Sequence, residues 1–141
     1  AGLGKSSADK VFFALDKLEP LPGKDAVNNQ QKYRAVVTSG LSDKEQVAAM
    51  KVVATQSIYE KVNVGYQFNV KPADYVNYRE WVEQLDDNGS VTQKEAQAAL
   101  DRMKLSNAQK AVLWQLQDKR WKPYKNPYSS SIGAQVYHRL N

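Results

Sequence analysis

The sequence predicts an all-α domain: a multi-helix bundle with an EF-hand-like helix–loop–helix, followed by an extended aromatic and proline-rich C-terminal segment. Three observations lead there. Apolar residues recur at three- and four-residue spacing along most of the chain. Ser42 and Thr92 are each followed three positions on by Glu, and Ser106 by Gln, the pattern of a helix-starting capping box. Finally, the twelve residues from Gln84 to Glu95 put Gly89 at the sixth position, where a calcium loop must turn sharply.

The first helix is predicted over 8–18, capped by Ser6 or Ser7, with Val11, Phe12, Leu15 and Leu18 on one face. Glu19-Pro20-Leu21-Pro22-Gly23 stops it, because neither proline nor glycine continues a helix well. A second helix over 27–38 buries Tyr33, Val36 and Val37 and closes at Gly40. Ser42 and Glu45 open a third, which carries Val47, Met50, Val53 and Ala54. A break near Thr55 precedes a helical stretch with Ile58, Tyr59 and Val62, which Gly65 ends. Tyr66-Gln67-Phe68 then reads as a short extended or turn-like link.

Lys71-Pro72-Ala73-Asp74 is a helix start, with proline where its missing N–H costs nothing. Tyr75, Tyr78, Trp81, Val82 and Leu85 give an amphipathic helix over 72–85. The exiting helix, over 93–103, buries Ala96, Ala99, Leu100 and Met103. Leu105-Ser106 repeats the Leu41-Ser42 start, and its helix carries Val112, Leu113 and Leu116 with Trp114 on the flank. The segment Arg120–Tyr128 has two prolines and no helical period, so it should be extended. Residues 1–128 read as a single domain with the helix–loop–helix at about 72–103, and 129–141 as a tail or short helix.

In the twelve-residue loop, Gln84, Asp86, Asn88, Ser90, Thr92 and Glu95 occupy the ligand positions, and calcium is the cofactor they imply. Gln84 stands where Asp is usual, which leaves two ligating carboxylates, Asp86 and Glu95, and Lys94 adds a positive charge nearby. The competing reading is a metal-free joint in which Thr92 and Glu95 serve only as a capping box.

Composition narrows the function. The chain has 141 residues, no cysteine and one histidine, His138. Thiolate chemistry is excluded, histidine metal clusters have no basis, and a Ser-His-Asp arrangement would rest on a chain end. No stretch is apolar enough to span a bilayer, and Ala1–Lys5 shows no signal-peptide core. The chain opens on Ala1 and not on a methionine, which suggests a piece of a longer protein. The net charge of +5 is spread over both halves. It concentrates only at Lys119, Arg120, Lys122 and Lys125, which with Trp121 and Tyr124 form a candidate partner or nucleic-acid surface. The alternative is that Trp121, Tyr124 and Tyr128 fold back over the core. Glu80 and Glu83 lie one helical turn apart with no catalytic motif behind them, so the chain reads as a non-enzyme.

Lys71-Pro72 to Tyr75-Val76, the run from Asp86 to Leu100, Leu105-Ser106-Asn107, Gln109 to Leu116 and Lys125-Asn126-Pro127-Tyr128 occur in an order that resembles a known all-helical domain. Gln31-Lys32-Tyr33-Arg34 and 57–61 fit the same pattern more loosely. That uncharacterised, EF-hand-like domain is found near the C-termini of long phage- or prophage-associated proteins of gut Firmicutes. The resemblance spans about residues 28–128. It implies a loop with Asp at its first position, from which Gln84 departs, and it implies no catalytic residues. The expected function is a structural or protein-interaction module of a phage or mobile-element protein; the sequence does not decide between a virion and the bacterial cytoplasm. The alternatives are a calcium-responsive binding domain and a weak nucleic-acid binder.

Overall fold

The computed structural model describes residues 3–85, 91–116 and 126–128. These residues form seven α-helices and no strand: α1 (Lys5–Asp16), α2 (Asn29–Val37), α3 (Asp43–Val53), α4 (Gln56–Gln67), α5 (Pro72–Leu85), α6 (Gln93–Asp101) and α7 (Asn107–Gln115). Helices α3 and α5 each pack on four others: α3 on α1, α2, α4 and α5, and α5 on α2, α3, α4 and α6; α2 also packs on α1, and α6 on α7. One apolar core runs through them, with Val36, Ala49, Met50, Val76, Leu100 and Leu113 sealed from water.

Local chemistry sets the helix starts. Capping boxes are complete at Ser42–Glu45, Thr92–Glu95 and Ser106–Gln109, and also at Asn28–Gln31, which opens α2. In each, the first side chain takes the amide three residues on and the side chain at that later position returns to the first amide. Thr55 caps α4 by accepting from the Ile58 amide at 3.4 Å. Asp74 Oδ2 accepts from the Lys71 amide at 3.1 Å, closing the first turn of α5 around Pro72. Between α1 and α2, Leu21-Pro22-Gly23-Lys24 is a tight turn: the Lys24 amide donates to the Leu21 carbonyl at 3.0 Å, and Gly23 supplies φ of 79°.

Several features differ from the reading of the sequence; α2 opens at Asn29 under the Asn28 cap and not at Val27, and α6 ends at Asp101, leaving Met103 beyond it and only partly buried. Helix α1 begins at Lys5, after Gly4, with no side-chain cap; Ser6 and Ser7 lie inside it. The Ser7 hydroxyl instead donates to the Glu45 carboxylate of α3. Phe12 is 52% exposed rather than part of the buried face, because Val11 makes the helix's sealed contact.

Gly65 does not end α4, which continues through Tyr66 to Gln67. The helix ends instead in a Schellman motif. Asn69 takes φ of 66°, its amide donates to the Tyr66 carbonyl at 3.0 Å, and the Val70 amide donates to the Gly65 carbonyl at 2.9 Å. Asparagine tolerates the left-handed region better than most residues. The glycine serves packing: a Cβ at position 65 would lie 3.3 Å from Leu116 Cδ1, so its absence lets the end of α7 approach α4.

Trp114 is buried at 1% exposure and not on a flank. Ala111, Val112, Leu113 and Trp114 are four consecutive buried residues, so α7 is covered on more than one side. Part of that cover is Asn126-Pro127-Tyr128. Asn126 Nδ2 donates to the Ala111 carbonyl at 3.2 Å, and the Tyr128 hydroxyl donates to Asp101 Oδ1 at 2.7 Å.

Candidate functional site

The twelve-residue stretch is described at its two ends. Gln84 and Leu85 form the last turn of α5, with Gln84 exposed. Val91 is buried at 4%, Thr92 is the N-cap of α6 and Glu95 lies in its first turn. Glu95 Oε1 accepts from the Thr92 amide at 3.1 Å and from the Thr92 hydroxyl at 3.0 Å. The other predicted ligands, Asp86, Asn88 and Ser90, lie outside the described residues, as do Lys119, Arg120, Trp121, Lys122, Tyr124, Lys125 and the tail 129–141. Of the three C-terminal aromatics, Tyr128 folds back over the core; its ring lies 5.8 Å from Lys110 Nζ, which also pairs with Asp101 at 3.4 Å. Among the described residues no cluster of three His, Cys, Asp or Glu side chains converges as a metal centre.

A second site was not legible as such in the sequence. Helices α1 and α2 enclose an open recess of about 680 Å³ whose wall includes Phe13, Leu18, Leu21 and Ala35, with Lys10 and Lys17 also lining it. Phe13 is 64% exposed and Leu21 48%. Lys17 Nζ lies 4.1 Å from the centre of the Phe13 ring, a cation–π contact that holds positive charge beside the apolar wall. The signal was the adjacent pair Phe12-Phe13. At 3.6 residues per turn, Phe13 points about 200° away from Val11, so both cannot face one core. The Leu21 turn lies beside a neighbouring recess of about 650 Å³, lined by Tyr33, Ile58, Arg79 and Glu83 among others.

The two glutamates are both held by cations. Arg34 Nε donates to Glu80 Oε1 at 2.9 Å, Arg34 Nη2 reaches Glu80 Oε2, and the same nitrogen donates to Asn77 Oδ1 at 2.6 Å. The hydrogen bonds from Arg34 hold the Glu80 carboxyl below the usual carboxylate range, against some desolvation. Glu83 pairs with Arg79 one turn back at 3.2 Å.

Comparison with known family models, curated proteins and solved structures finds no match to this chain. No helix among the described residues is long and apolar enough to cross a membrane.

Proposed function

We propose that the chain is a non-enzymatic interaction module whose binding face is the recess between α1 and α2. One observation carries this reading: three of the four large apolar side chains exposed among the described residues fall in one short segment there. Phe13 and Leu21 line the recess, and Phe12 adjoins Phe13 on α1. Exposed aromatics beside a concave surface are the usual anchor of a protein contact. The cation-held glutamates support the non-enzymatic part. The phage or mobile-element setting is carried over from the sequence resemblance alone.

Panning a random peptide display library tests the reading. The native protein should enrich peptides whose binding is lost on Phe13→Asp, a change at an exposed position that leaves the core intact. Enrichment that is absent, or equal on the variant, overturns it. Turnover of a general hydrolase substrate abolished by Glu80→Gln would overturn the non-enzymatic part.

A second reading, a calcium-responsive module, rests on the order of oxygen-bearing residues from Gln84 to Glu95 in the sequence. Val91 is buried and Thr92 and Glu95 start α6 as a capping box, a start that serves a calcium loop and a metal-free joint alike. Asp86, Asn88, Ser90, Glu95 and the Gln84 carbonyl would be the oxygen donors. Glu95→Gln is a clean control, because glutamine already fills the same capping position at Gln31 and Gln109. Calorimetric calcium binding lost in this variant supports the reading; no heat in the native protein removes it.

A further inference from the structure

We propose that the recess between α1 and α2 receives an acidic amphipathic helix of a partner protein, with that helix's apolar face on Phe13, Leu18 and Leu21 and its carboxylates on Lys10 and Lys17. The inference rests on the interaction-module reading and adds the chemistry of the partner.

Shape and charge both argue for it. The wall is apolar and includes the small residues Ala14 and Ala35, which let an incoming backbone approach closely. Helix-in-groove recognition needs such an apolar trough, read by residues at three- and four-residue spacing. Lys10 and Lys17 are two turns apart along the α1 segment, roughly 10 Å along its axis. A partner helix lying alongside α1 presents carboxylates at i and i+7 with the same separation. Within the recess the opposing carboxylate, Glu80, is already engaged by Arg34, so the two lysines give the lining its net positive character.

Two other occupants fit less well. A bilayer cannot enter a concave trough, whereas a single helix can lie along it. A second copy of this chain carries a net charge of +5 and would meet a like charge.

The test uses a labelled peptide about 18 residues long, with leucines at helical anchor spacing and glutamates on both flanks, together with versions carrying glutamine or lysine in their place. Fluorescence anisotropy should show binding of the acidic peptide, weakened about tenfold or more in the Lys10→Glu/Lys17→Glu variant and by raising the salt to roughly 0.5 M. Both lysines are exposed, and circular dichroism of the variant verifies its fold. Equal binding of the neutral or lysine peptide, or acidic binding unchanged by charge reversal, overturns the proposal. So does binding to phosphatidylglycerol vesicles without peptide binding, or a native dimer dissociated by Phe13→Asp. Display selection that yields neutral or basic binders dependent on Phe13 would remove the acidic helix while leaving the interaction module in place.

Discussion

Arg34 holds Glu80 through two guanidinium nitrogens, with Nε 2.9 Å from Oε1, and so ties α2 to α5 on the face that borders the recess. The same arginine reaches Asn77 one turn earlier on α5. Both charged side chains are about one-third exposed, which limits what the pair contributes. A double-mutant cycle of Arg34→Ala and Glu80→Ala, read by urea unfolding, should give a coupling of about 1 kcal/mol. The Glu80 carboxyl is depressed in the fold, so its contribution is present above the ordinary glutamate range and is lost on acidification. Repeating the cycle at low pH should shrink the coupling toward zero.

The end of α4 offers a sharper test. Gly65→Val forces a branched side chain against Leu116 and Val70, and should lower stability by about 2–3 kcal/mol in denaturant unfolding. At Asn69 the left-handed backbone decides the outcome. Asn69→Ala should cost about 1 kcal/mol, while Asn69→Gly should be close to neutral. An Asn69→Ala protein as stable as the native one would contradict the Schellman assignment.

Alkaline pH should unfold the chain through its tyrosines. Burial is the first cause raising the hydroxyls of Tyr33, Tyr78 and Tyr128, and the bond to Asp101 adds to the shift at Tyr128. A raised value in the fold means the stabilisation is complete below the unfolded value of about 10 and disappears as pH climbs through the folded values. The share of tyrosinate absorbance that Tyr78→Phe removes should therefore appear together with loss of helix by circular dichroism, not before it. Tyr128→Phe should soften this alkaline decline and cost about 1 kcal/mol at neutral pH through the lost hydrogen bond.

Acid acts at a different joint. The Ser7 hydroxyl, then the Ser42 hydroxyl and amide, lower the Glu45 carboxyl to about 2. A depressed value means its contribution is present above the ordinary glutamate value of about 4.3 and is lost as pH falls toward about 2. Ser7→Ala should move the Glu45 titration upward in side-chain NMR while the Ser42 contacts keep part of the shift. No movement would show that α1 and α3 are not joined through this carboxylate.

The readable part of this molecule is local. Ser42–Glu45, Thr92–Glu95, Ser106–Gln109, Thr55 and Pro72 each announce a helix start because the partners lie within a few residues. Asn28–Gln31 has the same grammar, yet the sequence pattern starts that helix too early, at Val27. Gly65 misleads because glycine marks both helix ends and close packing, and only Leu116, far along the chain, decides which. The cover over α7 is equally out of local reach, since Asn126 returns to the Ala111 carbonyl from 15 residues further on. The recess is hidden for a related reason: Phe12 reads as core until Val11 is seen to occupy that place, and Phe13 beside it then faces the recess. The calcium ligands Asp86, Asn88 and Ser90 and the cluster 119–125 remain readings of sequence, since they lie outside the described residues.

Four of the seven described helices begin with a reciprocal clasp closed entirely within four consecutive residues. Such a clasp can shut while the remainder of the polypeptide is still searching, since it asks nothing of distant segments. The origins of these rods are thus written into the chain in advance. Long-range encounters such as Leu116 with Gly65, or Arg34 with Glu80, have only to choose how finished rods lean on one another.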